Sequence, residues 1–255
     1  MLTLRDKVCI ITGASSGIGQ TTAVLFSTLG SKLVLNGRNE KNLAETVQLC
    51  ENKNNIVQIV GDLTDSQIQR LILKICVEKF GRIDVLVNNA GILQNGGIEN
   101  LKMEDYENLM NVNVKSVISL TQLCLPYLIE SKGSVVNVSS VAGSRSFPNV
   151  LAYCMSKAAL DQFTKCVALE VADKGVRVNS VNPGVIITNI HKRAGHDEEQ
   201  YKQFLEHCKN THALGRPGTA NEVANTIAFL ASDNASFITG ELVHVDGGRH
   251  AMTPR

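Results

Sequence analysis

Val8-Cys9-Ile10-Ile11-Thr12-Gly13-Ala14-Ser15-Ser16-Gly17-Ile18-Gly19 is the stretch whose reading decides the fold. Val8 to Ile11 is an unbroken apolar run, as expected of a parallel strand buried on both faces. A glycine turn follows, then a helical pattern with Ala23, Val24, Phe26 and Leu29 apolar, closed by Gly30. Strand, glycine turn and helix together aim backbone N–H groups and a helix N-terminus at a phosphate. The spacing is Gly-x-x-x-Gly-x-Gly. A tight strand-to-helix turn without a ligand uses the same glycines, but the flanks on both sides favour a dinucleotide site. Gly13, Ser15, Ser16, Gly17, Ile18 and Gly19 are therefore candidate cofactor-binding residues. No Gly-Lys-Ser/Thr follows the glycines, so a nucleoside triphosphate loop is not supported.

Downstream, strands and helices keep alternating. Lys32 to Asn36 reads as the second strand, followed by Gly37-Arg38-Asn39. NAD enzymes place an acid near the end of this strand to hold the ribose 2′-hydroxyl. None stands here; Arg38 does, and a guanidinium suits a 2′-phosphate. NADP is the expected cofactor, and the alternative for Arg38 is a solvated surface side chain. Strand Ile56 to Val60 ends in Gly61-Asp62-Leu63-Thr64. Asp62 suits an adenine edge with Leu63 packing beside it, while Asp62 or Thr64 equally suits the N-cap of the next helix. Strand Ile83 to Val87 ends in Asn88-Asn89-Ala90-Gly91, which either lets the backbone pass close to a cofactor or braces the sheet. A long helical stretch, Met103 to Ile129, contains Asn111 and Asn113. Both are poor interior helix residues, so a bend or a site is expected there.

Strand Ser134 to Val138 runs into Ser139-Ser140. Next comes a helix, about Val150 to Asp173, with Leu151, Ala158, Ala159, Phe163, Val167 and Val171 as its apolar stripe. It carries Tyr153 and Lys157, which a spacing of four places on one face. A neighbouring ammonium favours phenolate and makes a phenol more acidic. Alone, the pair also fits a plain surface face. Strand Val176 to Val181 leads to Asn182-Pro183-Gly184. The charged segment 190–214 carries Tyr201, Phe204, Leu205 and Cys208 at helical steps and reads as a lid or as a surface helix. A helix over Ala220 to Ala231 and a strand over Glu241 to Val245 complete the chain. Seven strands alternating with helices, without a break in composition, predict one α/β domain over 1–255. The expected architecture is a doubly wound (Rossmann) seven-stranded parallel sheet with helices on both faces.

Bulk properties exclude several classes. Net charge is +1, which gives no electrostatic case for nucleic acid or an anionic membrane. The seven cysteines form no Cys-x-x-Cys, so reduced thiols and a cytoplasmic setting are expected, with no metal site. No signal peptide is expected at the N-terminus. The run Ser116 to Ile129 is too short and polar to span a membrane, and Pro126 interrupts it.

Thr12-Gly13-x-x-x-Gly17-x-Gly19, Asn88-Asn89-Ala90-Gly91, Asn113, Ser140, Tyr153-x-x-x-Lys157 and Pro183-Gly184, in this order, resemble the short-chain dehydrogenase/reductase family. Ser140 precedes Tyr153 by 13 positions, as the family pattern expects. The resemblance spans roughly Lys7 to Gly248 and includes the 3-oxoacyl carrier-protein reductase branch. It implies that Tyr153 is the general acid or base and that Lys157 lowers its pKa and holds the nicotinamide ribose. It also implies that Ser140 polarises the carbonyl and that Asn113 anchors a water linking Lys157 to a proton relay. Asn89, Ala90 and Gly91 would lie along the cofactor. Pro183, Gly184, Ile186 and Thr188 would line its nicotinamide, with Thr188 holding the carboxamide. Self-assembly through helices near 103–129 and 150–173, as a homo-oligomer and often a tetramer, is implied as well.

The expected activity is NADP-dependent hydride transfer between nicotinamide and a ketone or secondary alcohol. Ile92, Leu93, Phe147, Leu151 and Ile190 suggest a medium-sized apolar partner: a 3-oxoacyl, steroid, terpenoid or xenobiotic carbonyl. Arg145, Lys192 and Arg193 either meet a phosphopantetheine or CoA phosphate or are solvated. The competing reading is a dinucleotide-binding sensor or scaffold without catalysis, which has no need of an acid such as Tyr153.

Overall fold

The computed structural model describes residues 2–195 and 197–253, with His191 and Lys192 described by backbone alone. Seven parallel strands form one sheet in the order β3-β2-β1-β4-β5-β6-β7. They are β1 Val8–Ile11, β2 Lys32–Gly37, β3 Ile56–Val60, β4 Val85–Asn88, β5 Ser134–Val138, β6 Arg177–Pro183 and β7 Leu242–Val245. The helices are α1 Gly17–Thr28, α2 Glu40–Leu49, α3 Ser66–Phe80, α4 Met103–Met110, α5 Ser116–Ser131, α6 Leu151–Val171, α7 Ile190–Arg193, α8 Glu198–Thr211 and α9 Ala220–Ala231. The doubly wound architecture expected from the alternation is the one observed.

Strand residues split between two cores, because successive side chains point to opposite faces. Cys9 and Ile11 of β1 pack with Ala23 and Phe26 of α1 and with Val223 and Ile227 of α9. Val8 and Ile10 face the other way, onto Ile72 and Cys76 of α3, Leu120, Cys124 and Leu128 of α5, and Val171 of α6. Burial on both faces is why the strands read as continuous apolar runs.

β4 begins at Val85 rather than Ile83 because Asp84 closes the ladder with its side chain. Its Oδ2 accepts from the Val8 N–H at 2.9 Å, and Arg82 grips the same carboxylate. The stretch 103–131 is long and apolar enough to cross a membrane by length and composition, which the shorter run Ser116 to Ile129 did not suggest. Here it packs on the sheet. It is not one regular helix, since a π turn over Asn111–Lys115 separates α4 from α5. The extra residue in that turn carries Asn113 inward, where it is buried.

The strand order reverses between β1 and β4. In open α/β sheets that point opens a crevice beyond the carboxyl ends of the strands, where ligands bind.

Candidate active site

A cleft of about 820 Å³ lies at that point. One end is walled by the glycine loop, Arg38 and Asp62, and the other by Ser140, Phe147, Tyr153 and Ile190. Of the predicted cofactor residues, Gly13, Ser15, Ser16, Gly17, Ile18, Arg38, Asp62, Leu63, Asn89, Ala90, Gly91, Tyr153, Lys157, Pro183, Gly184, Ile186 and Thr188 line it. Gly19 and Asn113 stand behind the wall instead.

Gly19 lets α1 approach the loop. A Cβ there would lie 2.4 Å from the Gly13 carbonyl oxygen and 2.3 Å from Asn89 Nδ2. Asn89 Nδ2 donates to the carbonyls of Thr12 and Gly13, and Thr12 Oγ1 accepts from the N–H groups of Asn89 and Ala90. The Asn88-Asn89-Ala90-Gly91 motif thus braces β4 against the loop while its backbone borders the cleft. Asn88 extends the bracing to Thr121 and Asn137. Gly19→Ala is expected to lower the unfolding free energy by about 1–3 kcal/mol, the usual cost of overpacking. Urea denaturation midpoints would check it, and an unchanged midpoint would show that the loop yields.

Asn113 is fully engaged. Its Oδ1 accepts from Ile92 N at 2.9 Å, and its Nδ2 donates to the Ile92 carbonyl at 2.9 Å and to Ser156 Oγ at 3.1 Å. It fixes the Gly91–Ile92 wall of the cleft, and the π turn aims it there.

Asp62 does not cap α3, and neither does Thr64; Asp65 does, accepting from Gln67 N. Asp62 Oδ1 instead takes the N–H and hydroxyl of Thr64, and its Oδ2 lies 3.6 Å from Arg38. Burial opposes the Asp62 charge, but the Thr64 bonds and Arg38 outweigh it and hold the carboxyl below its ordinary pKa. Both partners are well exposed, so the pair constrains Arg38 only weakly.

The glycine loop has a cation that sequence proximity did not show. Arg193 of α7 donates to Ser16 Oγ at 3.0 Å across the cleft. Phe204 of α8 also lines the cleft. Leu151 does not, because the wall there is made by Phe147, Pro148, Asn149 and Val150 ahead of α6. Arg145 turns away to the carbonyl of His250. Lys192's side chain lies outside the described residues.

At the other end Tyr153 and Lys157 share a face of α6, with Lys157 Nζ 5.7 Å from the Tyr153 ring centroid. Burial pushes the Tyr153 phenol up to about 12, and the Ser140 side chain pulls the other way. Lys157 Nζ donates to the Val138 carbonyl at 2.8 Å, and burial pushes the amine itself down to about 8, with Asp161 opposing. Asp161 was not singled out in the sequence, although it stands one helical step beyond Lys157. It is buried and accepts from Asn182 Nδ2 at 3.1 and 3.0 Å. Ser140 Oγ accepts from Ala142 N at 3.1 Å.

The residues fit a nicotinamide dinucleotide. A Cβ on Gly13 would strike Ala90 at 2.9 Å, and one on left-handed Gly17 (φ 57°) would press on Thr188 at 3.2 Å. Gly13 and Gly17, with Ser15, Ser16 and Ile18, therefore line this end of the cleft with little side-chain bulk. Fold and cleft together define a dinucleotide-binding oxidoreductase. A family model described as Enoyl-(Acyl carrier protein) reductase matches residues 13–250. The 3-oxoacyl-acyl-carrier-protein reductase FabG of Thermotoga maritima is 41% identical over 248 residues, covering 96% of this chain and 98% of that protein. The L-xylulose reductase of Caenorhabditis elegans is 37% identical, covering 95% of each. A short-chain dehydrogenase/reductase of Caenorhabditis elegans, solved with cofactor, superposes with a TM-score of 0.93 at 36% identity, covering 98% of this chain and 97% of that one. The chain belongs to the short-chain dehydrogenase/reductase family.

Proposed function

We propose that the protein is an NADP-dependent carbonyl reductase acting on a ketone of medium size. The observation that carries this is that Ser140, Tyr153 and Lys157 together line one end of a cleft whose other end is the glycine loop. Burial favours the protonated phenol of Tyr153, the form that can donate to a carbonyl oxygen. The bound nicotinamide would supply a hydride to the carbonyl carbon. Ser140 and Tyr153 meet the carbonyl oxygen as negative charge develops there, and Tyr153 gives it a proton. Lys157 holds the ribose side of the site, with its ammonium favouring the phenolate that proton transfer leaves. Asn113 acts through Ile92 and Ser156, as a positioning residue. Ile92, Leu93, Phe147 and Ile190 give the substrate end an apolar lining, which suits a 3-oxoacyl, steroid, terpenoid or xenobiotic carbonyl.

NADP is favoured by Arg38 at the end of β2 and by Arg193 over Ser16. Arg38→Asp is expected to shift the NADP/NAD preference, measured as the ratio of kcat/KM values, by about 10- to 100-fold toward NAD, the worth of one or two charge-assisted bonds. An unchanged ratio would remove Arg38 as the discriminator. Segment 190–214 acts as the lid in this reading, since Ile190, Arg193 and Phe204 line the cleft. Assembly through α6 and its neighbours, as a dimer or tetramer, is part of it too: Leu169 and Phe237 are 81% and 103% exposed, apolar surface that assembly would cover. A cytoplasmic setting accords with the free cysteines. A carbonyl panel with NADPH and NADH side by side tests the function. Oxidation of NADPH with any of these ketones supports it, and dinucleotide binding without turnover across the panel would favour a sensor.

A further inference from the structure

The substrate end of the cleft also holds a cation that the proton-transfer chemistry leaves unused. Arg249 follows β7, in a turn that Asp246 builds. Asp246 Oδ1 accepts from Gly248 N at 3.0 Å, and its Oδ2 accepts from His250 N at 2.6 Å and meets His250 Nδ1 at 2.9 Å. Gly247 and Gly248 are both left-handed, with φ of 57° and 80°. The turn engages the Asp246 carboxylate with His250 and delivers Arg249 to the cleft. Its guanidinium lies over the Phe147 ring, with Cζ 4.5 Å from the centroid. Phe147 belongs to the segment joining Ser140 to Tyr153, and both Phe147 and Arg249 line the cleft.

Among the described residues the Arg249 guanidinium has neither a hydrogen-bond acceptor nor an ion-pair partner. Other arginines here are differently placed: Arg82 pairs with Asp84, Arg216 with Glu222, and Arg145 and Arg177 bond backbone carbonyls. Burial pulls the Arg249 pKa down, with Cys208 and Asp246 opposing, yet a guanidinium keeps its charge. A half-buried planar fork of five N–H donors, one face covered by an aromatic ring, is costly to leave without acceptors. A carboxylate satisfies such a fork with two parallel bonds.

We propose that Arg249 is the anion-recognition residue of the substrate subsite, and that the substrates are oxo acids whose carboxylate pairs with it while Ser140 and Tyr153 hold the ketone oxygen. This rests on the carbonyl-reductase reading and narrows it. Without an anionic group, the apolar lining would accept a ketone with little regard to its ends.

The test compares 3-oxohexanoate with its methyl ester, using NADPH, in the native enzyme and in Arg249→Met and Arg249→Lys. In Arg249→Met the acid-to-ester ratio of kcat/KM is expected to fall about 10- to 100-fold, mainly through KM for the acid, as loss of a charge-assisted bidentate contact requires. Arg249→Lys is expected to retain part of the preference. An equal loss on acid and ester would mark a structural residue, and no loss on either an idle one; both overturn the proposal. Calorimetric titration of hexanoate, which cannot react, reads the contact without turnover. Weaker hexanoate binding in Arg249→Met supports the proposal, and equal affinity overturns it. If no carbonyl is turned over, the reductase reading fails alone, and the hexanoate titration still decides for Arg249.

Discussion

Tyr153→Phe is expected to abolish turnover while leaving dinucleotide binding within about twofold of the native protein. The phenol oxygen is the atom that would give a proton to the carbonyl oxygen, and phenylalanine keeps the ring that fills the wall. General acid catalysis contributes about 10²–10⁴-fold, and loss of a donor to developing oxyanion charge compounds it. The rate loss should therefore reach about 10³-fold or more. The binding should survive because the phosphate end of the cleft is lined by the glycine loop, far along the sheet edge from Tyr153. Stopped-flow rates with NADPH and a ketone, set beside a fluorescence titration of NADPH, would separate the two. A variant that turned over normally would end the assignment of Tyr153. A variant that lost NADPH affinity in proportion to rate would show that Tyr153 serves as a cofactor ligand and not as the acid.

Lys157→Met is expected to inactivate the enzyme and yet stabilise the fold at neutral pH. Lys157 is buried, and burial pulls its amine from 10.5 down to about 8. A folded pKa below the unfolded one means that the unfolded chain binds more protons between those values, so stability rises with pH across that window. Below pH 8 both states are protonated, and the cost of the buried charge is fully present. It lifts as the pH climbs from about 8 toward 10.5. Methionine removes that cost but forfeits the bond from Nζ to the Val138 carbonyl, leaving a net gain of about 1–2 kcal/mol at pH 7. The gain should shrink as the pH approaches 10.5. Urea unfolding at the two pH values checks the sign. Activity should fall about 10²-fold or more, because the cation that favours the phenolate is gone. A variant destabilised at neutral pH would show that Lys157 is held mainly by its bond and not penalised by its burial. Loss of function with gain of stability is the pattern expected where a fold keeps a costly group for its chemistry.

The strands were legible because parallel strands are buried on both faces, so Val8 to Ile11 or Leu33 to Leu35 carry their burial in their composition. The Tyr153–Lys157 pair was legible because a helix turns a spacing of four into contact. Asp161 obeys the same rule and was readable on that ground. Asn111 and Asn113 signalled an irregular helix, but the partners that Asn113 meets from the π turn, Ile92 and Ser156, are remote in sequence. Other features lay beyond local pattern altogether. Arg193 reaches Ser16 across 177 positions, and Lys157 finds a carbonyl at Val138 on another element. Arg249 meets Phe147 only because Asp246 and two left-handed glycines turn the end of the chain back over the cleft. Asp62 was ambiguous in sequence because aspartate serves a cap and a short local turn equally well. The choice went to Asp65 once α3 began at Ser66.

The central claim is that this site passes a hydride and a proton to a ketone, with Tyr153 as proton donor. The most direct measurement follows NADPH oxidation and alcohol formation together, in one reaction of the purified protein with the carbonyl panel. The account predicts one alcohol formed for each NADPH consumed, with both signals lost in Tyr153→Phe. NADPH that binds but is not consumed with any ketone, or consumption that persists undiminished in Tyr153→Phe, would contradict it.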